Sequence, residues 1–154
     1  MNPHLKKFLD NNFNNFQGKA LDLGSGDGDD INYLRDKGWF CEGVDKKAGI
    51  DLNNIYISEK GPFDIVFSNY VLHFIKNKDI FLKTIYKNLK KNGWLFLHTF
   101  HKDDVNIKKG FELDDLIPKI SKYFHNINTE ILDIYDDDPD HNHWHKVIQV
   151  TAQK

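Results

Sequence analysis

The sequence predicts an α/β sandwich: a mostly parallel sheet with helices on both faces and an antiparallel last strand. Three observations carry this. Short apolar runs alternate with amphipathic stretches between Ala20 and Phe100, the pattern of strand-helix-strand units. The first run opens into a glycine-rich turn, Gly24-Ser25-Gly26-Asp27-Gly28. The last two runs, Asn128 to Ile134 and Lys146 to Ala152, are joined by a loop too short for a crossover helix and should pair antiparallel.

Taken in order, Phe8, Leu9, Phe13 and Phe16 recur near helical spacing and place an amphipathic helix within residues 1–17. Ala20-Leu21-Asp22-Leu23 is a short buried strand. Ile31, Tyr33 and Leu34 mark a helix closed by Lys37-Gly38, because a glycine just past the last turn relieves the left-handed stop. Phe40 to Asp45 reads as a second strand with an acid at its end, and Phe63 to Asn69 as a later buried strand. Asp79 to Leu89 sets Ile80, Phe81 and Ile85 opposite Lys83, Lys87, Lys90 and Lys91, a helix ending at Asn92-Gly93 before the strand Trp94 to Phe100. Those lysines read as a solvated helix face. Leu113 to Phe124 predicts a helix that Pro118 kinks or confines to its later part.

A chain of 154 residues fits one domain, residues 1–154. With 12 Phe, 6 Tyr and 3 Trp it can pack a core, and its net charge of -2 supplies no bulk positive field for nucleic acid or an anionic membrane. No run approaches the about 20 apolar residues of a membrane span, and the start of the chain lacks the apolar stretch of a signal peptide. The lone Cys41 forms no internal disulfide. The expectation is a cytoplasmic monomer or homodimer acting on a small molecule.

The turn after the first strand is the informative segment. Glycine at alternate positions leaves the backbone bare where a ligand must approach it and permits unusual dihedral angles. A dinucleotide fingerprint would place its third glycine where Asp29 stands. The pair Asp29-Asp30 at a helix mouth repels a pyrophosphate and tolerates a cationic sulfonium or amino group, which disfavours a nicotinamide oxidoreductase.

Asp22-x-Gly24-x-Gly26-x-Gly28 resembles the first motif of class I S-adenosylmethionine-dependent methyltransferases. Asp45 matches the acid that in that family binds the ribose hydroxyls; Phe63 to Asn69 is similar to its fourth-strand motif, and Lys91 to Leu97 to its turn into the fifth strand. The likeness spans residues 18–100 and implies a Rossmann-like three-layer sandwich, S-adenosylmethionine as cofactor and methyl transfer as activity. It implies a cofactor site of Asp22, Gly24, Ser25, Gly26, Gly28, Asp45, Lys46 and Asn69. The structural alternatives are a turn cap for Asp22 and a solvated strand end for Asp45. Their position at the carboxyl ends of adjacent strands favours binding.

One departure stands out. Only Lys46 to Pro62 separates the ribose acid from the fourth strand, where the family has a helix, a strand and a loop. Gly49-Ile50-Asp51-Leu52 is the expected shortened third strand, with Asp51 or Leu52 near the adenine; alternatively Asp51 caps a surface turn. The short region also suits a chain that binds cofactor without catalysis, as a module or partner subunit.

The acceptor side should form from residues after the fourth and fifth strands and from the last loop. Tyr70, His101 and His143 are the expected catalytic residues, beside Asn69, His73, Phe74 and Phe100. Tyr70 and Phe74 serve equally as core packing, and His98, inside an apolar strand, as a satisfied core histidine. His141, His143 and His145 alternate near Asp136, Asp137, Asp138 and Asp140, a pattern that permits a metal but reads more simply as a polar rim with one histidine on substrate, and no metal is assigned. Small methyltransferases of the tellurite and thiol-acting type look broadly similar. That likeness does not identify the acceptor.

Overall fold

The computed structural model describes residues 1–14, 16–137 and 142–154. Along the chain it forms α1 (Pro3–Phe13), β1 (Lys19–Leu23), α2 (Asp29–Asp36), β2 (Phe40–Val44), β3 (Phe63–Asn69), α3 (Lys78–Asn88), β4 (Leu89–Phe100), α4 (Leu113–Ile120), β5 (His125–Asp136) and β6 (His143–Gln153). The six strands make one sheet in the order β2-β1-β3-β4-β6-β5. The β1-β2, β1-β3 and β3-β4 pairs are parallel, and β6 runs antiparallel to both β4 and β5. The α/β sandwich with an antiparallel last strand is thus the observed fold.

Burial explains the arrangement. Phe63, Ile65, Val66 and Phe67 of β3 are fully buried, as a central strand covered on both faces requires. Alternate residues feed two cores. On one face Leu21, Leu23, Val66 and Leu95 meet Phe81, Ile85, Leu116 and Ile120 from α3 and α4. On the other, Ala20, Ile65, Phe67 and Phe96 meet Leu5 and Leu9 of α1 and Ile31 and Leu34 of α2. Fully burying each such aliphatic side chain contributes about 1.5 to 3 kcal/mol.

The structure differs from expectation in three places. Asn14 adopts the left-handed conformation that ends α1, so Phe16 lies beyond the helix and is exposed. The last turn of α4 contains Pro118 and the helix stops at Ile120, while a following turn still buries Phe124. Most important, no third strand forms at Gly49-Ile50-Asp51-Leu52. Asp45 caps a 3-10 turn over Lys46–Ala48 that Gly49 closes, and Asp51 accepts hydrogen bonds from the backbone and side-chain amides of Asn53.

Side chains replace the missing ladder. The Tyr56 N–H donates to Thr84 Oγ1, the Ser58 N–H to Asn88 Oδ1, and Asn88 Nδ2 to the Tyr56 carbonyl. The hydroxyls of Tyr56 and Ser58 both donate to Glu42 on β2, at 2.5 and 2.6 Å. Backbone groups at Tyr56 and Ser58 are thus satisfied by side chains of α3, and the two hydroxyls tie the same segment to β2.

Topology also builds the site. The parallel strands β1, β3 and β4 end on one edge, at Leu23, Asn69 and Phe100. Because Phe100 pairs with Val147, the β5-β6 hairpin continues past the end of β4 and carries the Asp136-His143 pair over that edge. Among the described residues no helix is long and apolar enough to cross a membrane.

Candidate active site

A cleft of about 880 Å³ opens at this edge, within the range of small-ligand sites. Its floor is the glycine turn. Gly24 has φ +92°, and a Cβ there would fall 2.1 Å from Val71 Cγ2, so only glycine fits. The N–H groups of Gly24 and Ser25 donate to the Val44 carbonyl, at 2.8 and 3.1 Å, which ties the turn to β2. Gly26, at φ +52°, faces open space, and Gly28, at φ +85°, begins α2 without a side-chain cap.

Asp22 sits beneath this turn, 4% exposed, and its Oδ1 has no hydrogen-bond partner. Burial first, and then the charges of Asp30 and Asp45, hold its carboxyl well above the usual carboxylate range. An orphaned buried acceptor costs about 1 to 3 kcal/mol, so this is a poor structural cap and a good seat for a ligand cation. Asp45 reaches the same turn from β2: its Oδ2 accepts from the Gly26 N–H at 3.2 Å and its Oδ1 from the Lys47 N–H at 2.8 Å.

A polar chain crosses the cleft behind the turn. Asn69 Nδ2 donates to Asp30 Oδ2 at 2.8 Å, and Asn69 Oδ1 accepts from Asn2 Nδ2 at 3.2 Å. Asn2 Oδ1 caps α1 by accepting from the His4 and Leu5 N–H groups, while its Nδ2 also donates to His98 Nδ1 at 3.2 Å. His98 Nε2 therefore carries the hydrogen and donates to Gln149 Oε1 at 2.9 Å. Burial lowers this histidine to about 4, which keeps it neutral. It is a satisfied core histidine that links α1 to β6.

The far wall is aromatic. Tyr70, at φ 59°, stacks on Phe100 with ring centroids 5.0 Å apart, and His73 meets the same Phe100 at 5.1 Å. Burial pushes the Tyr70 phenol up to about 12 and, with Lys78, lowers His73 below the ordinary histidine range. His145 Nδ1 lies 2.8 Å from Oδ2 of the buried Asp104, and the His143 and His145 rings are 4.5 Å apart.

The profile of a family described as a methyltransferase domain matches residues 1–150. The chain belongs to this methyltransferase family. Its fold is similar to that of a SAM-dependent methyltransferase from Methanosarcina mazei, 15% identical, with a TM-score of 0.75 over 100% of this chain and 98% of that one. A SAM-dependent methyltransferase from Archaeoglobus fulgidus is 12% identical with a TM-score of 0.72, covering 98% of this chain and 91% of that one. The 1,6-didemethyltoxoflavin-N1-methyltransferase of Burkholderia thailandensis, a structure with S-adenosylhomocysteine bound, is 16% identical with a TM-score of 0.73, covering 99% of this chain and 77% of that one. No curated protein matches the sequence.

Within this family member the glycine turn brings together most of the residues singled out from the sequence. Asp22, Gly24, Ser25, Gly28, Asn69, Tyr70 and His143 line the cleft. Gly26 and Asp45 join them through their mutual hydrogen bond. Three positions lie elsewhere: Lys46 is exposed in its 3-10 turn, Asp51 is an exposed turn cap, and Leu52 is buried in the core. His101 is not in the cleft lining; it is nearly buried, and its Nδ1 accepts from the Asp103 N–H at 3.1 Å. His141, Asp138 and Asp140 lie outside the described residues, and among the described residues no group of three His, Cys, Asp or Glu converges on a metal site. Asp30, read from the sequence as part of the acid pair at the helix mouth, also lines the cleft, whereas Asn2 and Asp104 were missed. Asn2 alone carried a signal, since an asparagine before Pro3 is a helix-cap pattern; nothing local marks Asp104.

Proposed function

We propose that this methyltransferase moves a methyl group from S-adenosylmethionine to a small-molecule acceptor. Asp22 carries the reading: a nearly buried carboxyl with an orphaned oxygen, beside a bare turn. A cationic amino group fits there, since it gives Oδ1 a donor and offsets the charge that burial, Asp30 and Asp45 disfavour. When bound, the cofactor supplies a methyl group already made electrophilic by its sulfonium.

The chain's own work is therefore to hold, align and exclude water. In this reading Gly24, Ser25, Gly26 and Gly28 let the backbone approach the cofactor, Asp45 takes the ribose hydroxyls with Lys46 beside it, and Asn69 fixes the far end of the seat through Asp30. The faces of Tyr70 and Phe100 stabilise a cation by about 0.5 to 2 kcal/mol. Tyr70 and His143 belong to the acceptor half, and His101, outside the cleft lining, is given no role in this reading. A near-neutral chain without a cysteine pair suits a cytoplasmic enzyme of this kind.

Calorimetry with S-adenosylhomocysteine and with NAD tests the cofactor class. Saturable binding of the first and none of the second is expected, and the reverse refutes the reading. A labelled-methyl screen against thiols, amines and oxyanions then separates an enzyme from a module that only binds.

A further inference from the structure

The half of the cleft beyond the glycine turn carries aromatic surface that the core does not use. Phe74, in the 3-10 turn Leu72–Phe74 after β3, lines the cleft yet is 73% exposed, so it is not core packing. From the β5-β6 hairpin Tyr135 lines the same cleft, 47% exposed, and Ile107 and Ile134 add apolar lining. Neighbouring rings hold both aromatics. The Phe74 ring lies 3.9 Å from that of His73, which meets Phe100 at 5.1 Å. The Tyr135 hydroxyl donates to Asn142 Oδ1, and its ring meets Trp144 at 5.3 Å. One exposed aromatic is ordinary, but several lining a single concave site form a seat for flat rings, which stack or meet edge to face.

His73 marks this half on separate grounds. Its ring lines the cleft, and its Nδ1 is buried without a hydrogen-bond partner, a cost that a hydrogen-bonding ligand removes. This nitrogen stands on the turn after β3 and is distinct from the Asp22 oxygen given above to the cofactor. Charge, by contrast, is already engaged. Lys78, the cation beside His73, donates to the Ile75 carbonyl and lies over the Phe111 ring at 5.4 Å. Asp30 accepts from the Asn2 N–H and from Asn69 Nδ2, and Asp104 is paired with His145. Asp136 has a partner of its own, and Asp137 is open to solvent. The seat therefore selects by ring shape and hydrogen bonding.

We propose that the methyl acceptor is an uncharged, flat aromatic molecule, its ring against Phe74 and Tyr135 and one polar ring substituent hydrogen-bonded to His73. This deepens the methyl-transfer reading above and rests on it. Because Nδ1 is buried in the empty cleft, the imidazole turns about its Cβ–Cγ bond to bring that nitrogen to the ligand.

The test titrates 2-naphthol, its saturated counterpart decahydro-2-naphthol, and 2-naphthoate into the full chain saturated with S-adenosylhomocysteine. The saturated alcohol is the more apolar, so hydrophobic burial alone favours it. Ring recognition reverses that order, and 2-naphthol should bind about fivefold or more tighter than either other probe. Phe74→Leu keeps the apolar bulk and removes the ring; it should bring the two alcohols within about twofold, and Phe74→Tyr should restore the gap. His73→Leu should weaken 2-naphthol about fivefold or more. A smaller gap over either probe, no 2-naphthol binding by a chain that does bind S-adenosylhomocysteine, or a gap that Phe74→Leu leaves intact overturns the proposal. A wild-type chain that does not bind S-adenosylhomocysteine at all sinks the methyl-transfer reading instead, and this inference with it.

Discussion

Replacing Asp22 by asparagine should make the empty protein more stable and its cofactor binding weaker. The wild-type carboxyl is 4% exposed with one oxygen unpartnered, and burial, Asp30 and Asp45 all disfavour its charge. An unsatisfied buried group of this kind costs about 1 to 3 kcal/mol. Removing the charge should recover much of that, raising Tm by about 3 to 10 °C for a domain of this size. The sign with pH follows. A carboxyl whose folded-state pKa is raised gives stability that is present in full below its unfolded value of 3.8 and lost as pH climbs through the raised value. The Tm gap between Asp22→Asn and wild type should therefore be small at the acid end, widen above 3.8 and then level off. Loss of a charged hydrogen bond to the cofactor's amino group, about 1.5 to 3 kcal/mol, should weaken S-adenosylhomocysteine about 10- to 150-fold. Paired melting curves across pH and calorimetry at pH 7 read both effects. An Asp22→Asn protein that melts lower than wild type and binds equally well would refute the assignment of Asp22 as a strained ligand seat.

Three further outcomes are expected. Gly26→Ala should cost about 1 to 2 kcal/mol of stability from its positive φ, yet impair S-adenosylhomocysteine binding, because its Cβ fills the open space over the turn; Gly24→Ala, driven into Val71, should lower Tm further, and comparing melting with calorimetry separates the two. His98 has a folded pKa lowered from 6.5 to about 4, so its stability is present above 6.5 and lost as pH falls toward 4, a difference of roughly 3 kcal/mol that a His98→Gln variant should not show in acid denaturation curves. Glu42→Ala strips the acceptor from Tyr56 and Ser58, and hydrogen exchange should accelerate over residues 54–62 while the amides of β3 stay protected.

The Asp22-Gly24-Gly26-Gly28 turn was readable because its requirements are local: a positive φ and a missing Cβ belong to single positions, and Asp45 follows one strand later. The central strands were readable because burial on both faces demands continuous apolar runs. The absent third strand was not, since Thr84 and Asn88 satisfy the backbone at Tyr56 and Ser58, and Glu42 their hydroxyls, from elsewhere in the chain. Nor did spacing distinguish His101 from His145. Both are histidines near strand ends, and only packing puts Asp104 against one of them, across 41 residues. Periodicity and turn chemistry act over a few neighbours and were fixed by the sequence order alone, whereas the partners of Asn2, Asp30 and Asp104 exist only where the assembled sheet brings distant side chains within hydrogen-bond range.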